Sequence, residues 1–246
     1  MRFKNLISRL KTLSKTNQFF QNSYLKHKYR NYSSQQIFSD IYGNNLWGSF
    51  KDIGDPFFSG DGSHDESLVS AYIKAIENFL KSFNGPLNVV DLGCGDFYVG
   101  SKIRPMCGNY IACDIVPELI EFNKLKYNSL NVDFRNLNLV VDQLPSGDLA
   151  FIRQVLQHLS NKEISQIIPK LLHAYKYIVV TEHLPAAEKF NHNIEKDTGP
   201  DIRLEFDSGV VLTSSPFNLE VKFGLTLCEV YGYGGVIRTQ LYKLRD

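Results

Sequence analysis

Three groups of residues in this 246-residue chain have types and spacings suited to chemistry. The first is "NVVDLGCGDFYVG", Asn88 to Gly100, where an apolar run ends on Asp91 and the chain turns at once through Gly93, Cys94 and Gly95. Glycine has no Cβ, so such a turn lets a bulky polar ligand lie against the main chain. A dinucleotide fingerprint, G-x-G-x-x-G, needs a third glycine where Tyr98 stands. Gly95 and Gly100 have the spacing of a phosphate loop, but Ser101-Lys102 reverses the order that loop requires. The second group is Arg153-Gln154 with His158, in "LPSGDLAFIRQVLQHLS", Leu144 to Ser160. The third is Glu182-His183 in "VVTEHLP". An imidazole, or a carboxyl with a shifted pKa, can take a proton near neutral pH.

The elements that must position these groups can be read from periodicity. Ser63-His64-Asp65-Glu66 has the pattern of a capping box and predicts a helix burying Leu68, Val69, Tyr72, Ile73, Ile76 and Leu80, ended by Asn84-Gly85-Pro86. Strands are expected over 87–90, 110–113, 132–135, 149–152 and 177–181. A helix should open at Pro117, and a second capping box, Ser160 to Glu163, should open one carrying Ile164, Ile167, Ile168 and Leu171. Pro169 inside that last pattern should kink or shorten it. Strands alternating with helices give a parallel sheet covered on both faces. The end differs: 225–231 and 236–244, joined by Gly232-Tyr233-Gly234-Gly235, read as an antiparallel hairpin. Glu182-His183 then follows the fifth strand directly, at the rim of the sheet. The long connection before the hairpin holds Asp201-Ile202-Arg203 and "GVVLTSSPFNL", in which Phe217 is expected to pack in the core. Long connections of this kind are often functional.

Composition bounds the rest. A hydrophobic content of 43% supports a real core. No apolar run reaches the roughly 20 residues that span a bilayer, and no secretory leader pattern opens the chain. Cys94, Cys107, Cys113 and Cys228 form no C-x-x-C pair and suit a reducing, cytoplasmic setting. His27, His64, His173 and His192 show no metal-ligand spacing, so no metal site is expected. Residues 1–39 carry eight Lys or Arg and no acid, leaving 19 basic and 26 acidic residues in the remainder. That acidic body argues against general nucleic-acid binding. Phe3, Leu6, Ile7, Leu10 and Leu13 recur at helical spacing among the basic residues. Docking on the body is the first reading of this helix, and weak contact with a membrane surface through residues 1–39 is the second. The organisation expected is a basic helix and lid-like extension over 1–62, in which Tyr42, Trp47 and Ser59-Gly60-Asp61-Gly62 could cover a ligand, then one α/β domain over 63–246.

Asp91-x-Gly93-x-Gly95 resembles motif I of the class I S-adenosylmethionine (SAM) dependent methyltransferases, in which an acid precedes the glycine turn. Phe97 stands where that family often has a further glycine. Asp114 ends the second strand where the family places an acid on the ribose hydroxyls. Phe134 and Asn138 resemble the strand-three motif, with Asn138 where Asp is common. "VLQHL" resembles the family's continuation after strand four, and the segment through "SSPFNL" resembles the ending of some bacterial members in glycan or secondary-metabolite pathways. The likeness covers about 66–244. It implies a Rossmann-like, seven-stranded, mostly parallel sheet with helices on both faces and a C-terminal antiparallel hairpin. It implies a SAM site made by Asp91, Gly93, Cys94, Gly95, Asp114, Ile115, Asn138, Leu139, Arg153 and Gln154. In that site the Asn138 carbonyl oxygen would take the adenine amino group, and Arg153 and Gln154 would flank the methionine end. It further implies methyl transfer to a small-molecule or glycan-type acceptor, at oxygen, with a proton acceptor among His158, Glu182 and His183. Two rivals stand beside this reading. Against an NAD-linked oxidoreductase are Tyr98 and the antiparallel end; a non-catalytic SAM-fold binding protein would keep the glycines without a base near the methyl.

Overall fold

The computed structural model describes residues 24–50 and 54–246, so the basic helix expected over 3–13 lies outside it. Seven strands form one sheet. Strands β1 (Val89–Leu92), β2 (Tyr110–Asp114), β3 (Asp133–Asn136), β4 (Leu149–Arg153) and β5 (Tyr177–Pro185) run parallel, and β8 (Phe223–Gly232) and β9 (Gly235–Lys243) close one side antiparallel. Their order is β3-β2-β1-β4-β5-β9-β8. Successive strands step one way from β1 to β3 and the other way from β4. The crevice beyond the carboxyl ends of β1 and β4 is therefore the switch point where such sheets bind ligands. Two-residue strands β6 (Asn191–His192) and β7 (Ser208–Gly209) pair within the long connection. No helix among the described residues is long and apolar enough to cross a membrane.

The elements follow from their sequences, with four differences from expectation. Helix α1 (Ser34–Gly43) falls in the lid-like extension, where no helix beyond the basic one was expected; a Ser33/Gln36 capping box opens it, and it buries Ile37, Phe38, Ile41 and Tyr42. A four-residue helix, α2 (Asp61–His64), precedes α3 (Glu66–Leu80), and the α3 cap is Asp65, which accepts from the Ser67 N–H at 2.9 Å. The box expected at Ser63 does not form, because Ser63 accepts from Arg153 instead. Helices α4 (Tyr98–Ile103) and α5 (Pro117–Lys126) follow β1 and β2. Helix α6 (Asn161–Ala174) has both halves of its capping box and runs on past Pro169. Burial of Ile164, Ile167, Ile168 and Leu171 outweighs the one backbone bond that proline removes.

The fourth difference matters most. β5 does not stop at Thr181 but continues through Pro185, because β9 pairs with it along its whole length, Glu182 opposite Arg238 and His183 opposite Ile237. Glu182 and His183 are therefore strand residues on opposite faces of the sheet. The hairpin turn is Tyr233-Gly234, both left-handed, as a tight two-residue turn requires. Phe97 also has a left-handed backbone, φ 59°, and its ring packs between Tyr110, Tyr127 and Phe134 at 4.9–5.6 Å. A Cβ at Gly100 would overlap that ring, so the glycine expected at 97 has in effect moved to 100.

The long connection between β5 and β8 is fastened by Arg203, which is 1% exposed. Its guanidinium donates to the carbonyls of Ile194 (2.9 Å), Leu156 and Gln157 (3.3 Å each) and Leu159 (2.8 Å), and to Asn161 Oδ1 (2.8 Å). Glu182, also buried, accepts the Leu156 N–H at 3.1 Å. The turn after β4 is thus gripped through its carbonyls by a cation and through its N–H by a carboxyl. Burial pushes that carboxyl up to about 8, with the Arg203 charge pulling the other way. Phe217 packs in the main core, as expected. Arg203→Ala should strand these carbonyls without donors. We expect a loss of about 3–5 kcal/mol of unfolding free energy in urea titration, since several buried carbonyls each lose a donor at about 1–3 kcal/mol; a loss near zero would mean that the turn is held by packing alone.

Candidate active site

A cavity of about 370 Å³ lies along the carboxyl edge of the sheet. Its walls follow strand order: Leu137 to Val140 after β3, Asp114 and Ile115 at β2, Asp91 and Gly93 to Gly95 at β1, Arg153 to Val155 after β4, His183 in β5 and Ile237 in β9. All ten residues expected to bind a cofactor line this cavity.

The glycine turn is built rather than merely permitted. Gly93 and Gly95 have φ of 81° and 55°. A Cβ on Gly93 would overlap Val155, and one on Gly95 would overlap Ser59. The Gly93 and Cys94 N–H groups donate to the Cys113 carbonyl at 2.8 and 2.9 Å. Gly95 N–H donates to Asp114 Oδ2 at 3.0 Å, and the Gly95 carbonyl accepts from Asn123 Nδ2 at 2.7 Å. Val116 N–H takes the other Asp114 oxygen at 3.1 Å. Each oxygen of an ionised carboxylate has a second lone pair, so the pinned group can still accept two hydroxyls.

Three acids, Asp91, Asp96 and Asp114, crowd this turn. Burial is the main cause lifting Asp91 to about 7 and Asp114 to about 6. Asp114 pushes Asp91 further up and Asp96 does the same to Asp114, while the Tyr110 hydroxyl, 3.0 Å from Asp91, and backbone N–H groups on Asp114 pull down. Such a turn favours a ligand carrying positive charge and disfavours a pyrophosphate.

The segment expected to cover the ligand does line the cavity, through Tyr42, Trp47, Ser59, Gly60 and Gly62. Its fastening to Asp96 was not foreseen. Asp96 Oδ2 accepts the Ser59 N–H at 2.9 Å and meets His64 Nε2 at 2.6 Å, while Asp96 N–H donates to Ser59 Oγ at 2.8 Å. Asp96 follows the glycine turn directly, which is the one sequence signal that could have marked it. Arg153 donates to the Gly62 carbonyl (2.6 Å), Ser63 Oγ (3.1 Å) and Gln154 Oε1 (3.1 Å), and lies 5.1 Å from the centre of the Tyr72 ring. Its Nε is buried with no hydrogen-bond partner among the described residues.

Asn138 Oδ1 accepts the Val140 N–H at 2.9 Å, which leaves its second lone pair and its NH₂ group for a ligand. The three candidate proton acceptors separate. Glu182 is absent from the cavity walls and faces the Leu156 turn. His158 and His183 both line the cavity. Burial, with the Lys196 charge, drives His158 down to about 3, well below the ordinary imidazole value expected from sequence. Its ring lies 4.8 Å from Trp47, whose Nε1–H donates to the Pro200 carbonyl. His183 is lowered by burial, and its Nε2 lies 3.2 Å from the Gly232 carbonyl.

No family model matches the chain, and no curated protein matches it in sequence. Solved structures do match in fold. N-methyltransferase NodS from Bradyrhizobium japonicum, in complex with S-adenosyl-L-homocysteine (SAH), is 12% identical, with a TM-score of 0.58 over 84% of this chain and 98% of that one. Magnesium protoporphyrin IX methyltransferase from Synechocystis, with bound SAM, is 13% identical, with a TM-score of 0.53 over 86% and 97%. The methyltransferase domain of a bacterial Hen1 is 18% identical, with a TM-score of 0.50 over 71% and 98%. The strand order, the antiparallel closing pair and these likenesses agree: the chain has the Rossmann-like fold of the class I SAM-dependent methyltransferases.

Proposed function

We propose that this protein is a SAM-dependent methyltransferase acting on an oxygen of a small-molecule or glycan-type acceptor. The observation that carries the reading is the glycine turn pinned to Asp114 beside two further acids, a cradle for a cationic, diol-bearing ligand. Asp114 would receive the ribose hydroxyls on its remaining lone pairs. Ile115 and Leu139 would flank the adenine, with the Asn138 carbonyl oxygen accepting its amino group on the remaining lone pair. Gly93, Cys94 and Gly95 would give close main-chain contact. Arg153 and Gln154 would meet the methionine carboxylate and Asp91 its ammonium. When bound, SAM supplies a methyl group already activated on a sulfonium, so the protein's tasks are alignment and proton removal.

Strand order supports one direction for the ligand. If the nucleoside lies at β2 and β3, the acceptor lies toward β5 and β9, among Trp47, His158, His183, Asp201, Glu205 and Tyr233. Carboxylates and imidazole nitrogens accept hydrogen bonds from hydroxyls, which supports a hydroxyl-bearing acceptor. His183 is our choice of base, since it lines the cavity in a neutral form. Glu182, turned to the other face, serves the Leu156 turn.

Calorimetric titration tests the cofactor reading. SAM and SAH should give binding heat and NAD none, and Asp114→Ala should weaken SAM by at least about tenfold, the scale of one lost charge-assisted hydrogen bond. Binding of NAD without SAM would overturn it. The base is tested by turnover on the true acceptor. His183→Ala should lower it by about 10²-fold while leaving SAM affinity near wild type. The His183 pKa is lowered, so the proton-accepting form is full at pH 7. The rate should be flat above the ordinary imidazole pKa of about 6.5 and fall only as pH drops through the lowered value. A rate that falls above pH 7 would exclude His183.

A further inference from the structure

We propose that Gln157 is a positioning residue that holds His158 in the Nδ1–H tautomer, opposite to the Nε2–H form that the Gly232 carbonyl gives His183, and so leaves proton acceptance to His183. The argument starts from a main-chain N–H, which can only donate. The His183 N–H points at Gln157 Oε1, 3.2 Å away. That end of the amide must therefore be its oxygen, and the other end must be NH₂. The NH₂ nitrogen lies 3.3 Å from His158 Nε2. An NH₂ group donates, so His158 Nε2 accepts through its lone pair. A neutral imidazole has one lone pair and one N–H, which places the His158 proton on Nδ1.

Backbone groups of Gly199, Pro200 and Asp201 favour a proton on the imidazole, while burial and the Lys196 charge oppose a second one. Nδ1 is buried with no hydrogen-bond partner among the described residues, so the Gln157 contact at Nε2, and not an acceptor at Nδ1, carries the assignment. His183 takes the opposite form by the same logic. A carbonyl only accepts, so its Nε2, 3.2 Å from Gly232 O, carries the hydrogen and Nδ1 keeps the lone pair. Gln157 is itself buried and lines the cavity, and Arg203 holds its carbonyl. One amide thus ties the β5 backbone to the turn after β4 and spends the lone pair of His158.

The tautomers rest on hydrogen bonds alone; the role given to His183 rests on the methyltransferase reading, and the test keeps the two apart. Nitrogen-15 NMR of the imidazoles at pH 7, assigned with His158→Asn and His183→Asn, should show His158 protonated at Nδ1 and His183 at Nε2 in the wild-type protein. His158 protonated at Nε2, or averaged between both nitrogens, would overturn the proposal without any variant of Gln157. In Gln157→Met the His158 preference should be lost and the His183 pattern kept; a His158 pattern unchanged from wild type would mean that Gln157 does not set it. If the tautomers are as stated and His183→Ala turns over normally, the tautomer assignment survives and the placing of the base on His183 fails.

Discussion

The site depends on one buried carboxylate doing structural work before any ligand arrives. Asp114 ends β2 and binds the N–H of Gly95 with one oxygen and that of Val116 with the other. These bonds hold the β1 turn against the start of the next connection. They also hold the carboxylate, which burial would otherwise push further toward protonation. The left-handed glycines follow from that attachment: the turn must bring main chain to Asp114, and any Cβ at 93 or 95 would strike Val155 or Ser59. Asn123 on α5 fixes the same turn from the other side. The turn is thus fixed by hydrogen bonds within the protein, and groups already ordered spend less binding energy on ordering.

The other half of the cavity is held by a cation. Arg203 takes the carbonyls of the turn after β4, while Glu182 takes one of its N–H groups from beneath. The pair faces away from the cavity, yet it sets where Gln157 and His158 stand. The long connection that carries Arg203 therefore does two things. It supplies cavity wall through Pro200, Asp201, Ile202 and Glu205, and it clamps the segment that carries the imidazole. The β1–β2 end of the cavity is acidic and glycine-based, and the β5 end is aromatic and imidazole-lined.

What could be read from sequence divides along the same physical lines. Buried parallel strands are continuous apolar runs, so β1, β2, β4 and the start of β5 were legible. The glycine turn stood out because few other functions explain two glycines directly after an acid that ends a strand. The rest of β5 was hidden, since Glu182-His183 looks like a loop after the strand until β9 pairs with it. Helix α1 was hidden by its short apolar stripe in a polar stretch, though Ser33 and Gln36 announce its cap. Asp96 and Gln157 were missed, and Arg203 was marked only by its place in the long connection, for a common reason: each acts through hydrogen bonds to chain distant in sequence, and no local pattern encodes those partners. Phe97 was visible as a departure from the usual glycine, but its accommodation through Gly100 required the ring's three aromatic neighbours.

The most direct test of the account is a crystal structure of the protein with SAH. The account predicts the ribose hydroxyls on Asp114, the adenine between Ile115 and Leu139, and the sulfur directed toward the His183 side of β4. SAH lying in the reverse sense, or seated away from the Gly93–Gly95 turn, would contradict it.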